Sequence, residues 1–293
     1  MWALTLKPKN LIMKPKQLAL VIALLAFSIG FTSCKKNAEA TTNDLETTFE
    51  LSGDQAIADN LTEDANDLFM EAATENNLLG QRPVSPTETL GILGCATVTI
   101  TPATGFPKKI LIDFGTGCTS ANGITRKGKI NIALSDSVRK PGSTATLTFD
   151  KYSVNEFKKE GTLTWTNTST AQVKGWSRKM ENGKITNPAG KYWLHSGTTN
   201  VTQIEGYNTP RYLLDDVFTM TGTHTVTNVK GVSRTSEITE ALLKETICEN
   251  IAKGKIKVQG PNHYAIVDFG DGSCDRIATI AINGGTARTI LLR

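Results

Sequence analysis

Three aspartates crowd one glycine loop late in the chain, Asp268, Asp271 and Asp275 in the string DFGDGSCD. Hard carboxylate oxygens gathered in this way are what a calcium ion takes. An earlier copy of the loop, Asp113 to Cys118, reads DFGTGC, with Thr116 and Thr119 where the later one has acids, so a metal would serve only one copy. The preferred reading is a tight turn in both, each aspartate accepting from backbone amides just ahead and the glycines taking positive φ. Protein-kinase chemistry uses the same three letters but needs a glycine loop and catalytic-loop partners that this chain lacks.

Four cysteines, Cys95, Cys118, Cys248 and Cys274, bracket the two copies. They lack the Cys-x-x-Cys spacing of zinc sites. Of the three ways to pair four cysteines, the duplication favours Cys95 with Cys118 and Cys248 with Cys274. The histidines are His195, His224 and His263. His195-Ser196 offers a base and a nucleophile, yet neighbours in a strand face opposite sides and cannot readily share a proton. His224 lies in a threonine-rich alternating stretch, and His263 follows Pro-Asn beside a turn, as a surface residue does. No Gly-x-Ser-x-Gly, His-Glu-x-x-His or phosphate-binding glycine loop occurs, so no catalytic residue and no cofactor is expected. Trp165, Trp176, Trp193 and Tyr192 could stack on sugar rings, although aromatics at strand spacing more often fill a core.

The elements that must position these residues are strands. After Pro86 come short runs of Thr, Val, Ile, Leu, Tyr and Trp punctuated by glycine. In GTLTWTN, residues 161–167, Leu163 and Trp165 share one face and three threonines the other, the two-residue period of a half-buried strand. FTMTGTHTVTN, residues 218–228, repeats it. Asn122-Gly123, Pro141-Gly142, Asn182-Gly183 and Asn283-Gly284 read as hairpin turns. Residues 82–293 are therefore predicted to be an all-β body, a large antiparallel β-sandwich or meander-type sheet. It carries two related Cys–strand–Asp-Phe-Gly-x-Gly–Cys units at 95–134 and 248–284.

Ahead of the body, residues 37–81 contain eleven acids and no Lys or Arg, whereas 82–293 contain 26 basic and 17 acidic residues. Ile57, Leu61, Ala65, Leu68, Phe69 and Ala72 recur at three- and four-residue steps, which predicts one short amphipathic helix over about 54–75. It would dock by its apolar stripe, its acids near basic residues of the body; a solvated stalk is the alternative.

The first residues have a different texture. From Met13, MKPKQLALVIALLAFSIGFTSC has two lysines, an apolar run from Leu18 to Phe31 and small residues before Cys34, the layout of a secretory signal over 1–33. The run is shorter than the roughly 20 apolar residues that span a bilayer, and Met13 supplies an alternative translation start. The +4 formal charge comes from Lys7, Lys9, Lys14 and Lys16; without them 28 bases face 28 acids, which excludes nucleic acid as an electrostatic partner.

Thr32-Ser33-Cys34 resembles the lipobox of bacterial lipoproteins, with Phe31 in place of the usual Leu, Val or Ile. That resemblance implies acylation of Cys34 and, with two or three acyl chains, a lasting membrane partner. Asp136-Ser137-Val138 resembles an O-glycan acceptor of exported Bacteroidota-type proteins, with Ser137 as the acceptor. VDFGDGS, residues 267–273, resembles the turn motif of polycystic-kidney-disease repeats, which implies turn geometry only, since Val267 replaces their Trp. Together FPKKILIDFGTGCTSANGITRKGKINI, FDKYSVN, EGTLTWTNT and DFGDGSCDRIATIAING resemble a group of Bacteroidota-type envelope lipoproteins over roughly 90–290. The resemblance implies an outer-membrane lipoprotein, its periplasmic face favoured because Lys35 and Lys36 follow the lipid cysteine. A non-enzymatic binding or structural role with an envelope-protein partner is expected; a glycan-binding surface lipoprotein and a carboxylate-dependent glycoside hydrolase are the alternatives.

Overall fold

The computed structural model of the chain describes residues 40–80, 90–209 and 212–292. The signal segment, the Met13 start and Cys34 lie outside them. The class is as expected, mostly antiparallel β with one helix. The strands form one sheet in meander order, which is not closed into a barrel, and not a two-sheet sandwich. They are β1 (Thr97–Thr101), β2 (Lys108–Asp113), β3 (Cys118–Thr119), β4 (Thr125–Leu134), β5 (Thr144–Val154), β6 (Phe157–Asn167) and β7 (Lys174–Thr186), then β8 (Tyr192–Glu205), β9 (Val217–Asn228), β10 (Ser233–Glu245), β11 (Lys253–Gln259), β12 (Tyr264–Asp271), β13 (Ile277–Ile282) and β14 (Arg288–Leu291).

The sheet curls because neighbouring ladders shift register at neighbouring positions: between Lys127 and Lys129, Glu160 and Thr162, Met180 and Gly183, and Lys253 and Lys255. Each bulge bends its strand and increases the local twist. Gly161, at φ 115°, sits on this seam, and a Cβ there would lie 2.8 Å from the Asn182 carbonyl oxygen. Gly161→Ala is expected to lower stability by about 1–3 kcal/mol, measured by urea denaturation; an unchanged midpoint would show that the seam tolerates a side chain. Asn182-Gly183 belongs to the same seam. It was expected to be a hairpin turn and is instead a bulge inside β7, with Asn182 at φ 52°. Asn122-Gly123, Pro141-Gly142 and Asn283-Gly284 do lie between strands.

The sheet curls around one helix, α1 (Thr42–Glu75), which begins well before the predicted residue 54 and is 34 residues long, about 51 Å at 1.5 Å per residue. Thr41 caps it, accepting from the Asp44 amide, and Asn77 leaves the helical region at φ 59°. Its burial is not confined to a stripe: Leu51, Ser52, Gln55, Ala58, Asn60, Glu63 and Asp64 are buried along with Leu61, Leu68 and Phe69. Ser52, Asn60 and Thr74 tolerate this because each donates to a carbonyl four residues back. Phe69 packs edge-on against Trp165 with ring centroids 5.7 Å apart.

The duplicated units occupy the two ends of the strand order, β1–β2–β4 and β11–β12–β13. Each is closed by the disulfide the duplication favours, Cys95–Cys118 and Cys248–Cys274. Their phenylalanines, Phe114 and Phe269, are both buried. None of the described helices is long and apolar enough to cross a membrane.

Candidate functional site

The Asp-Phe-Gly loops are turns. Asp113 accepts from the Gly115 amide at 2.8 Å and Asp268 from the Gly270 amide at 2.9 Å, each carboxylate also facing a lysine, Lys129 or Lys255. Asp271 and Asp275 turn onto the amides of Ser273 and Ile277. One oxygen of each of Asp268, Asp271 and Asp275 is thus taken up by its own loop, the geometry of the turn reading. Among the described residues, the one close group of metal-type ligands is Glu245, Cys248 and Cys274, and its sulfurs are bonded to each other. Ser137 is half-buried in the turn after β4, its amide donating to Asp136.

The aromatic platform is corrected. Trp165, Trp176 and Trp193 are 2%, 6% and 1% exposed, so they form no open platform on the outside of the sheet; only Tyr192 is open. They point inward because each sits on the alternation phase that faces α1. His263 is likewise buried, not a surface residue, since the β11–β12 turn folds over the start of α1.

Around His263 the fold assembles a nucleophile, a base and an acid. Thr48 Oγ1 lies 2.6 Å from His263 Nε2, and His263 Nδ1 lies 3.6 Å from Asp44 Oδ2. Arg234 Nε donates to the same hydroxyl at 2.8 Å, leaving its proton for the imidazole. The order is that of an acyl-transfer triad, but Thr48 is fully buried. The cluster fastens the first turns of α1 to β10 and β12 and offers a substrate no access to the hydroxyl. His195 is buried and Ser196 exposed, on opposite faces of β8 as expected. Burial, with Lys159 and His224 nearby, holds the His195 pKa well below the usual histidine value.

Midway along α1, its acids meet bases from far along the chain. Asp64 takes a two-pronged bond from Arg126 Nε (3.1 Å) and Nη2 (2.6 Å) and a third from the Tyr152 hydroxyl (2.9 Å). Glu63 pairs with Arg178 in the same two-pronged fashion. Asp67 lies 3.2 Å from Lys244. Lys159 donates to Thr62 at 3.0 Å; burial, against the pull of Asp59 and Asp64, lowers its pKa to about 7. This belt joins helix to sheet; Asp64, Asp67 and Arg126 also line a hollow of about 190 Å³ with Ile92, Ile124 and Thr246, where each carboxylate is held by its base.

A further concavity lies at the end of the sheet where α1 finishes. The turn after β4 is tied there by Val138 and Arg139 amides donating to the carbonyls of Leu78 and Leu79. Beside it a pocket of about 90 Å³ is walled by Met70, Val138, Trp165, Trp176 and Phe218, with Trp176 and Phe218 edge to face at 5.0 Å. Its polar side carries Arg139, Gln203 and Asp216, and Tyr207 forms the rim, half exposed. Asp216 is 3% exposed and accepts from Gln203 Nε2 at 2.7 Å. Burial, opposed by Arg139, pushes its pKa up to about 8. Next to pocket residues in sequence, Val173 and Ile204 are also exposed. An apolar hollow with a few fixed polar groups and a half-exposed tyrosine at its mouth has the composition of a binding site. Sequence reasoning missed it because its walls come from α1, the turn after β4 and strands β6, β7 and β9; the tyrosines Tyr207 and Tyr212 were the available signal.

A wider trough of about 510 Å³ crosses the outer face over β8–β11, floored by Ser196, Thr198, Thr225 and Thr235. It has no apolar anchor. No protein-family model, curated protein or solved structure matches the chain.

Proposed function

We propose that this is an exported, lipid-anchored, non-catalytic binding protein of the bacterial cell envelope, resembling Bacteroidota-type outer-membrane lipoproteins, that captures an envelope partner at the end of the sheet where α1 terminates. The observation that carries the reading is the contrast between two regions. Thr48 with His263 and Glu63 with Arg178 are sealed in the core, and Asp64 and Asp67, which border a hollow of about 190 Å³, are held by Arg126 and Lys244. The aromatic pocket is open at Tyr207, which is half exposed. The two disulfides support folding outside the reducing cytosol, and acyl chains on Cys34 would hold the protein at a membrane durably.

Two measurements test the two halves. Cys34→Ser is expected to abolish incorporation of labelled palmitate and move the protein from the membrane to the soluble fraction; unchanged partition would remove the anchor. A photo-crosslinking phenylalanine analogue replacing Tyr207 in cells is expected to yield a discrete adduct that the same analogue at Thr198 does not. Absence of any adduct at Tyr207 would remove the binding assignment.

A further inference from the structure

The two ends of the protein are distinguished by where the chain enters. Ala40 precedes the first turn of α1, and five residues lie between it and Cys34, a reach of at most about 21 Å over six fully extended steps. Strand turns that surround this entry are identified by their bonds to the helix. Arg234, just after the β9–β10 turn, binds Asp44; Lys191, at the β7–β8 turn, binds Glu50; Arg288, after the β13–β14 turn, binds Glu46.

At this end the outer face of the sheet carries Tyr192, Leu194 and Val229, which are 38%, 45% and 48% exposed. They are neighbours: Trp193 pairs with Asn228, and Leu194 lies between Thr227 on one side and Lys184 on the other. Lys184 Nζ stands 4.8 Å from the centre of the Tyr192 ring. Lys230 follows Val229 in the turn and makes no ion pair among the described residues. Of the nearby acids, Glu50 is bound by Lys191 and Glu46 by Arg288, and Glu160 is shared between Lys158 at 3.1 Å and Lys184 at 3.7 Å, a long pair that leaves the Lys184 side chain 39% exposed, while Glu156 lies in the β5–β6 turn, two strands from β8. Lys35 and Lys36 directly follow Cys34.

We propose that this end of the protein rests on the headgroup zone of a bilayer containing anionic phospholipid, with Tyr192, Leu194 and Val229 entering the interface and Lys184 and Lys230 facing the lipid phosphates. The inference deepens the reading of Cys34 as acylated and rests on it. A tether alone would leave every tilt open. A tyrosine with aliphatic neighbours favours headgroup depth, and lysines beside it gain from an anionic surface within a Debye length. The helix then stands the aromatic pocket some 50 Å from the membrane, facing a partner in solution or on a neighbouring structure.

The test uses the full-length acylated protein in vesicles of phosphatidylethanolamine and phosphatidylglycerol, with an environment-sensitive NBD dye on Val229→Cys or, at the far end, on Ile247→Cys. Both labelled proteins are expected to float with the vesicles. Emission at 229 should rise severalfold and be quenched by spin-labelled lipid, with 247 unaffected, and Lys184→Glu with Lys230→Glu should cut the gain at 229 by at least half without changing flotation. Flotation with a water-exposed dye at 229 would overturn the proposal and leave the anchor standing. Failure to float would overturn the anchor and this proposal with it.

Discussion

Asp64→Ala is expected to remove about 3–5 kcal/mol of folding stability, because it leaves the buried Arg126 guanidinium without its carboxylate and the Tyr152 hydroxyl without its acceptor. Arg126 is 1% exposed, so water cannot replace the lost partner. Burial works against its charge, and it is Asp64 and Tyr152 that hold its pKa above the usual arginine value. Urea denaturation of the single variant and of Asp64→Leu with Arg126→Met separates the costs. The double variant should be the more stable of the two, since removing both charges leaves none stranded. A loss below about 0.5 kcal/mol in the single variant would mean that α1 is a dispensable stalk and not the core of the sheet.

The second large effect concerns pH. Asp216 titrates near 3.8 in an unfolded chain and near 8 in the fold, chiefly because of burial. Between those values the folded protein keeps a proton that the unfolded chain has released. Its contribution to stability is complete below the lower value and is lost as pH climbs through the upper one, at about 1.4 kcal/mol per unit. Asp216→Asn keeps an oxygen for Gln203 and cannot ionise. It is expected to match the parent within about 1 kcal/mol at pH 5 and to exceed it by roughly 2–5 kcal/mol at pH 9. Lys159 acts with the opposite sign. Its folded value, near 7, is below that of the free chain, so its contribution is present at high pH and lost as pH falls through 7. That slope is common to both proteins and cancels in the comparison. Equal losses between pH 5 and pH 9 in parent and variant would show that Asp216 is not held protonated.

Gly161→Ala and Cys34→Ser probe other levels, the bend of the sheet and the attachment of the chain. Their effects should be independent of the two above, because neither touches the ionic belt or the pocket.

What the sequence determined by itself was whatever depends on near neighbours or on the chain's own repetition. Alternation in GTLTWTN is a local property, and it placed Trp165 on the inner face of β6 correctly. Aspartate two residues before a glycine amide makes the same turn twice, and the duplication paired the four cysteines. The opposed charges of residues 37–81 and the body were visible as totals. Only the tertiary structure decided which acid met which base, since Asp64 and Arg126 are 62 residues apart and Glu63 and Arg178 are 115 apart. The burial of α1 on all sides was hidden for the same reason: hydropathy scores Ser52, Asn60, Glu63 and Asp64 as exposed, whereas their polarity is absorbed by carbonyls one turn back and by bases on strands. Asn182-Gly183 has the composition of a hairpin and became a bulge because the strands on either side continue past it. The pocket at Asp216 exists only where β6, β7, β8 and β9 meet the end of α1. A residue type states what a side chain can bond; the packed fold supplies its partner and sets its distance from water.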